Sequence, residues 1–91
     1  MLKVFFIFQL KWLNLSNNTI TALPASIGDL TGLLHLDLGA NQLDIGSIPK
    51  SLFGHEMLLE RLYLSDNNLT ELSDDFTELV NLKILALRYS K

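Results

Sequence analysis

An α/β solenoid, with parallel strands on a concave face and short helical or 3₁₀ returns on the convex face, is the fold class this sequence predicts. Three observations predict it. A pattern of leucines closed by an asparagine occurs three times in full and begins a fourth time. Its starts, at Leu10, Leu33, Leu59 and Leu82, lie 23, 26 and 23 residues apart. Between the copies, apolar residues recur at spacings of 3 and 4, the period of a helical stripe. Self-similarity at a period of roughly 20–50 residues marks chains built from one stacked supersecondary unit.

The strand half of each unit comes first. The copies read Leu10-x-x-Leu13-x-Leu15-x-x-Asn18-x-Ile20, Leu33-x-x-Leu36-x-Leu38-x-x-Asn41-x-Leu43 and Leu59-x-x-Leu62-x-Leu64-x-x-Asn67-x-Leu69, with Leu82-x-x-Leu85-x-Leu87 opening a fourth. Alternation over three residues is a strand with one buried face. Leu13, Leu15, Leu36, Leu38, Leu62, Leu64, Leu85 and Leu87 therefore point inward. Asn18, Asn41 and Asn67 fall where the chain leaves each strand, where a side-chain amide can bond its own turn and the neighbouring one. A buried polar group without a partner costs about 1–3 kcal/mol, so this asparagine ladder is expected to be structural.

The return half follows. Leu23, Ile27 and Leu30 lead to Leu33, and Leu72, Phe76 and Leu79 lead to Leu82, each as an inward apolar stripe on a short helical turn. Pro24 and Pro49 preset φ where the first two returns begin, and Ser73 stands there as an N-cap in the third. The middle unit carries an insertion that splits in two, with extra residues in Asp44–Ser47 and in Phe53–Glu56. The chain thus divides into an atypical apolar segment, 1–9, and repeats at 10–32, 33–58, 59–81 and, in part, 82–91.

The motif identifies the chain as a member of the leucine-rich repeat family, over most of its length from Leu10 onward. Within that family, Leu23-Pro-Ala-Ser-Ile27-Gly-Asp-Leu30 is similar to the class found in intracellular Ras-pathway repeat proteins. The longer middle unit, Leu36-Asp-Leu-Gly-Ala-Asn41 through Ser47-Ile-Pro49, is the rarer feature, and its order with Leu62-Tyr-Leu-Ser-Asp-Asn67 and Leu82-Lys-Ile-Leu85-Ala-Leu87-Arg resembles that of an intracellular Ras-pathway member. That resemblance implies a cytoplasmic, non-enzymatic adaptor in Ras signalling and integrin adhesion, binding a LIM-domain adaptor of the PINCH type through the repeat stack. Met1 to Gln9 depart from a normal leading repeat.

Composition narrows the alternatives. Ninety-one residues, 48% hydrophobic, with net charge −3 and a pI near 5.1, describe a chain able to build a core and lacking the basic balance of a nucleic-acid binder. There is no cysteine, which removes disulfides, cysteine–zinc sites and cysteine nucleophiles. Val4 to Phe8 is too short for a secretory or spanning segment and is broken by Gln9 and Lys11. Neither terminus resembles a polar solenoid cap, so the chain reads as a piece of a longer protein whose strand edges favour self-association.

Candidate binding residues lie between the leucines, on the concave face. One column is Trp12, His35, Arg61 and Ile84; the next is Asn14, Asp37, Tyr63 and Ala86; a third, at the strand exits, is Ser16, Gly39, Ser65 and Arg88. Trp, Tyr and Arg are enriched at binding hot spots. The partner-binding set is Trp12, Asn14, His35, Asp37, Arg61, Tyr63 and Arg88. Four strands about 4.8 Å apart span roughly 15 Å, less than a standard interface of about 800 Å² per partner requires. Weak binding is expected of this stretch alone.

Other signals carry less. His35 and His55 lack metal spacing and read as surface or satisfied histidines; Asp74, Asp75 and Glu78 suit the start of the third return rather than a calcium loop. No phosphate-binding glycine loop, nucleophile elbow or paired catalytic carboxylates occur, so neither enzymatic activity nor a cofactor or metal is expected. Three glycosylation sequons, at Asn14-Leu-Ser16, Asn17-Asn-Thr19 and Asn68-Leu-Thr70, support a rival reading as part of an extracellular receptor ectodomain. A repeat module of a larger multidomain regulator is a third.

Overall fold

A computed structural model describes residues 10–54 and 56–88. The apolar segment 1–9, His55 and residues 89–91 lie outside them, and with them the expectations placed there. Four three-residue strands form one parallel sheet in chain order: β1 (Trp12–Asn14), β2 (His35–Asp37), β3 (Arg61–Tyr63) and β4 (Ile84–Ala86). The register pairs Leu13, Leu36, Leu62 and Leu85 across all four strands. The returns are 3₁₀ turns: η1 (Ala25–Asp29), η2 (Ile45–Ser47), η3 (Lys50–Phe53) and η4 (Asp74–Glu78). Parallel strands need a crossover between them, and a 3₁₀ turn is a crossover short enough for units of this length.

The core lies between sheet and returns. Leu33, Leu36, Leu38, Leu43, Leu52, Leu59, Leu62 and Leu64 are essentially inaccessible. All belong to the two middle units, which have a neighbour on each side. Leu13, Leu15, Leu85 and Leu87 face the same way but are half-buried. Leu72 corrects the sequence expectation: equivalent to the buried Leu23 and Ile48, it is 49% exposed. Its stripe is made by Phe76 and Leu79 alone, because no following return covers Leu72 among the described residues. Phe53 and Met57, absent from the sequence-based core, are buried where the insertion displaces the regular leucine. Phe53 packs its ring against Phe76 at a centroid distance of 4.9 Å.

The asparagine ladder is built as the motif implies. Asn67 accepts from the Leu43 backbone N–H through Oδ1 and donates Nδ2 to the carbonyls of Leu38 and Leu64. Asn41 repeats this with Ile20 N–H and the carbonyls of Leu15 and Leu38. Both are buried. Each amide thereby satisfies groups in two consecutive units, which turns a polar side chain into an inter-repeat tie. Asn18, in the first unit, is exposed and among the described residues bonds only its own turn, at Leu15 and Ser16.

The residue before each ladder asparagine, Asn17, Ala40 or Asp66, adopts a left-handed backbone, with φ of 58°, 55° and 58°. Asn and Asp tolerate this region; alanine is an uncommon occupant. In the insertion, Ser47 Oγ accepts from Asp44 N–H and donates to its carbonyl, closing η2. The Ser47 carbonyl then accepts from Leu23 N–H of the preceding unit. Pro24 and Pro49 cap η1 and η3 without a side-chain bond, and Ser73 Oγ accepts from Asp75 N–H, as an N-cap should. Asp74 and Asp75 occupy the first turn of η4, whereas Glu78 falls at its last residue rather than at its start.

Candidate functional site: the concave face

The strand register gathers the sequence-predicted columns. Trp12, His35, Arg61 and Ile84 are consecutive strand partners, and so are Asn14, Asp37, Tyr63 and Ala86. The third column continues the ladder beyond the strands. Asn17 N–H donates to Gly39, Ala40 N–H to Ser65 and Asp66 N–H to Arg88. Exposure alternates with the buried leucines, so these side chains share the face opposite the core.

Three rings meet there. The His35 imidazole stacks on the Trp12 indole, with centroids 4.0 Å apart and planes inclined by 8°. Tyr63 leans on the other side of His35, 5.0 Å away and tilted by 40°. Residues separated by more than twenty positions in sequence thus form one aromatic array across β1, β2 and β3. Trp12 remains 62% exposed. Of the sequence reading of His35 as surface or satisfied, the second alternative needs correction: the half-buried side chain has its Nδ1 buried with no hydrogen-bond partner. The same ring stacks on Trp12 and contacts Tyr63, a relationship spacing alone does not reveal.

The polar members divide. Asn14 Oδ1 accepts from both the N–H and the Oγ of Ser16, and Asp37 Oδ1 accepts from Gly39 N–H. These bonds shape the strand exits, so Asn14 and Asp37 are partly committed to the fold. Arg61 is exposed, and among the described residues it makes no ion pair. The nearby Glu60 lies 3.7 Å from Lys83. Arg88 is exposed at the last strand exit.

A second concavity lies away from the strand face. A cleft of about 400 Å³ lies beside the insertion, lined by Ile45, Ile48, Pro49, Lys50, Phe53, Ser73 and Asp75. The split insertion is its sequence signal, since η2 supplies one wall. Among the described residues no group of three or more His, Asp or Glu side chains is arranged to hold a metal, and no helix is long and apolar enough to cross a membrane.

A stacked parallel sheet with 3₁₀ returns and an asparagine ladder defines a repeat solenoid that presents one open strand face. The chain belongs to the leucine-rich repeat family: the family described as Leucine Rich repeats (2 copies) matches residues 9–50, and the single Leucine Rich Repeat matches residues 58–79. It is similar to Receptor-like protein 1 of Arabidopsis thaliana, at 44% identity over 68% of this chain and 6% of that protein. Human fibromodulin is 37% identical over 70% of this chain and 17% of its own length. A solved leucine-rich repeat protein of Leptospira interrogans superposes with a TM-score of 0.76 and 38% identity, covering 87% of this chain and 19% of that one. The chain therefore spans less than a fifth of each of these relatives.

Proposed function

We propose that this chain is a non-enzymatic protein-binding scaffold whose concave strand face receives the partner. The observation that carries the reading is the aromatic array of Trp12, His35 and Tyr63, with Arg61 in the same register and an exposed indole at its end. Aromatic side chains and arginine, grouped on an open face, supply the anchors that dominate interface energies.

The narrower form of the proposal is a cytoplasmic adaptor of signal transduction and cell-matrix adhesion, resembling Ras suppressor protein and binding a LIM-domain adaptor of the PINCH type. Its support is the order of units, a 26-residue unit containing Ser47-Ile-Pro49 between units of 23. A second reading, part of an extracellular receptor ectodomain, draws on the likeness to Receptor-like protein 1 and on the three sequons.

Pull-down with the full chain tests both, beside a Trp12→Ala, Arg61→Ala, Tyr63→Ala triple variant shown by circular dichroism to fold equally. Recovery of an adhesion adaptor from cytosolic extract by the parent alone supports the concave scaffold. Recovery only of secreted ligands from conditioned medium supports the ectodomain reading. Equal recovery by both samples would remove the concave face from the proposal.

A further inference from the structure

The concave face holds two hydrogen-bond donors side by side. His35 and Arg61 are direct strand partners. His35 Nδ1 is buried without a partner, and an N–H buried unpaired costs the full desolvation of a donor. A bare ring nitrogen costs less there than a buried N–H, which leaves Nε2 as the ring nitrogen that presents a hydrogen to a partner. Of the two ring nitrogens only Nδ1 is a fully buried atom lacking a partner, and no hydrogen bond among the described residues holds Nε2. Beside it, the Arg61 guanidinium makes no ion pair among the described residues. Of the neighbouring carboxylates, Asp37 accepts from Gly39 N–H through Oδ1 and Glu60 lies 3.7 Å from Lys83.

We propose that this pair is an acceptor-recognition point: His35 Nε2–H and the Arg61 guanidinium together bind a carboxylate of the partner protein, an Asp or Glu side chain presented on a loop, between the apolar walls of Trp12 and Tyr63. The proposal rests on the protein-binding reading above and adds the chemistry of the partner. A forked guanidinium matches a carboxylate geometrically. The flanking rings offer apolar surface for the partner beside the contact. A basic partner group fits poorly, because one face of the Trp12 indole is already covered by His35 and Arg61 repels a second cation.

Phage-displayed, disulfide-closed random loops selected on the full chain provide the probe. The enriched loops are expected to carry Asp or Glu. They should lose binding to the Trp12→Ala chain, bind Arg61→Glu at least about tenfold more weakly, and bind His35→Phe about tenfold more weakly although stacking is kept. Lys50→Glu, on the convex side, should leave them unaffected. Loops selected afresh on Arg61→Glu should turn basic. All variants are first matched for folding by circular dichroism. Loops that need Trp12 but are neutral or basic, and ignore Arg61→Glu, overturn this inference and leave the protein-binding reading standing. Loops indifferent to Trp12→Ala, or no enrichment at all, overturn both.

Discussion

The imidazole of His35 lies flat against the indole of Trp12, with planes only 8° apart, although 23 residues separate them in the chain. One repeat period brings them together, and Tyr63, another repeat on, closes the array from the far side. The stack joins the outermost described strand to the buried middle of the sheet. Stacked aromatic pairs contribute about 0.5–1.5 kcal/mol beyond their buried area. A double-mutant cycle of Trp12→Ala and His35→Ala, read by urea unfolding, should return a coupling energy in that range. A coupling near zero would show that the rings merely adjoin.

The ladder positions should differ sharply in cost. Asn67→Ala strands the Leu43 N–H and the Leu38 and Leu64 carbonyls in a buried turn, and is expected to lose about 2–4 kcal/mol. Asn18→Ala frees only exposed groups of its own turn and should cost about 0.5 kcal/mol or less. Unfolding midpoints of the two variants compare them directly; equal losses would contradict the inter-repeat role.

Ala40 occupies a left-handed backbone position that Asn17 and Asp66 fill in the flanking units. Ala40→Asn should relieve that strain and stabilise the chain by about 0.5–1 kcal/mol. The gain would appear as a raised thermal midpoint with unchanged circular dichroism.

Gly28 sits where η1 passes against η3. A Cβ there would come within 2.5 Å of Ser51 Cβ and 2.6 Å of the Ser51 carbonyl oxygen, beside the bond from Ser51 Oγ to the Ala25 carbonyl. Gly28→Ala therefore forces the two returns apart and should cost about 1–3 kcal/mol. At Gly46 the nearest atom to such a Cβ is Asp44 Oδ1 at 3.5 Å, so Gly46→Ala serves as the control, with little change expected in a thermal melt.

Much of this architecture is legible in the chain because a repeat encodes its own register. Once Leu13, Leu36, Leu62 and Leu85 share a motif position, stacking aligns every residue at a fixed offset from them. The pairing of Trp12 with His35 and of His35 with Arg61 follows from offsets alone. So do the ladder of Asn41 and Asn67 and the Ser73 cap on η4. The same logic points Leu72 inward, yet it is exposed, since a motif position is buried only where another unit packs over it.

The amino-acid order thus determines which residues become neighbours: a period in sequence is a translation in space. What those neighbours do on meeting depends on packing. The orphaned Nδ1 of His35, the filling of the insertion by Phe53 and Met57, the close pass of Gly28 over Ser51 and the cleft beside η2 exist only in the folded stack. Each depends on ring orientation or on the gap between adjacent returns. Such quantities are set by contacts between units, and no single unit's sequence contains them.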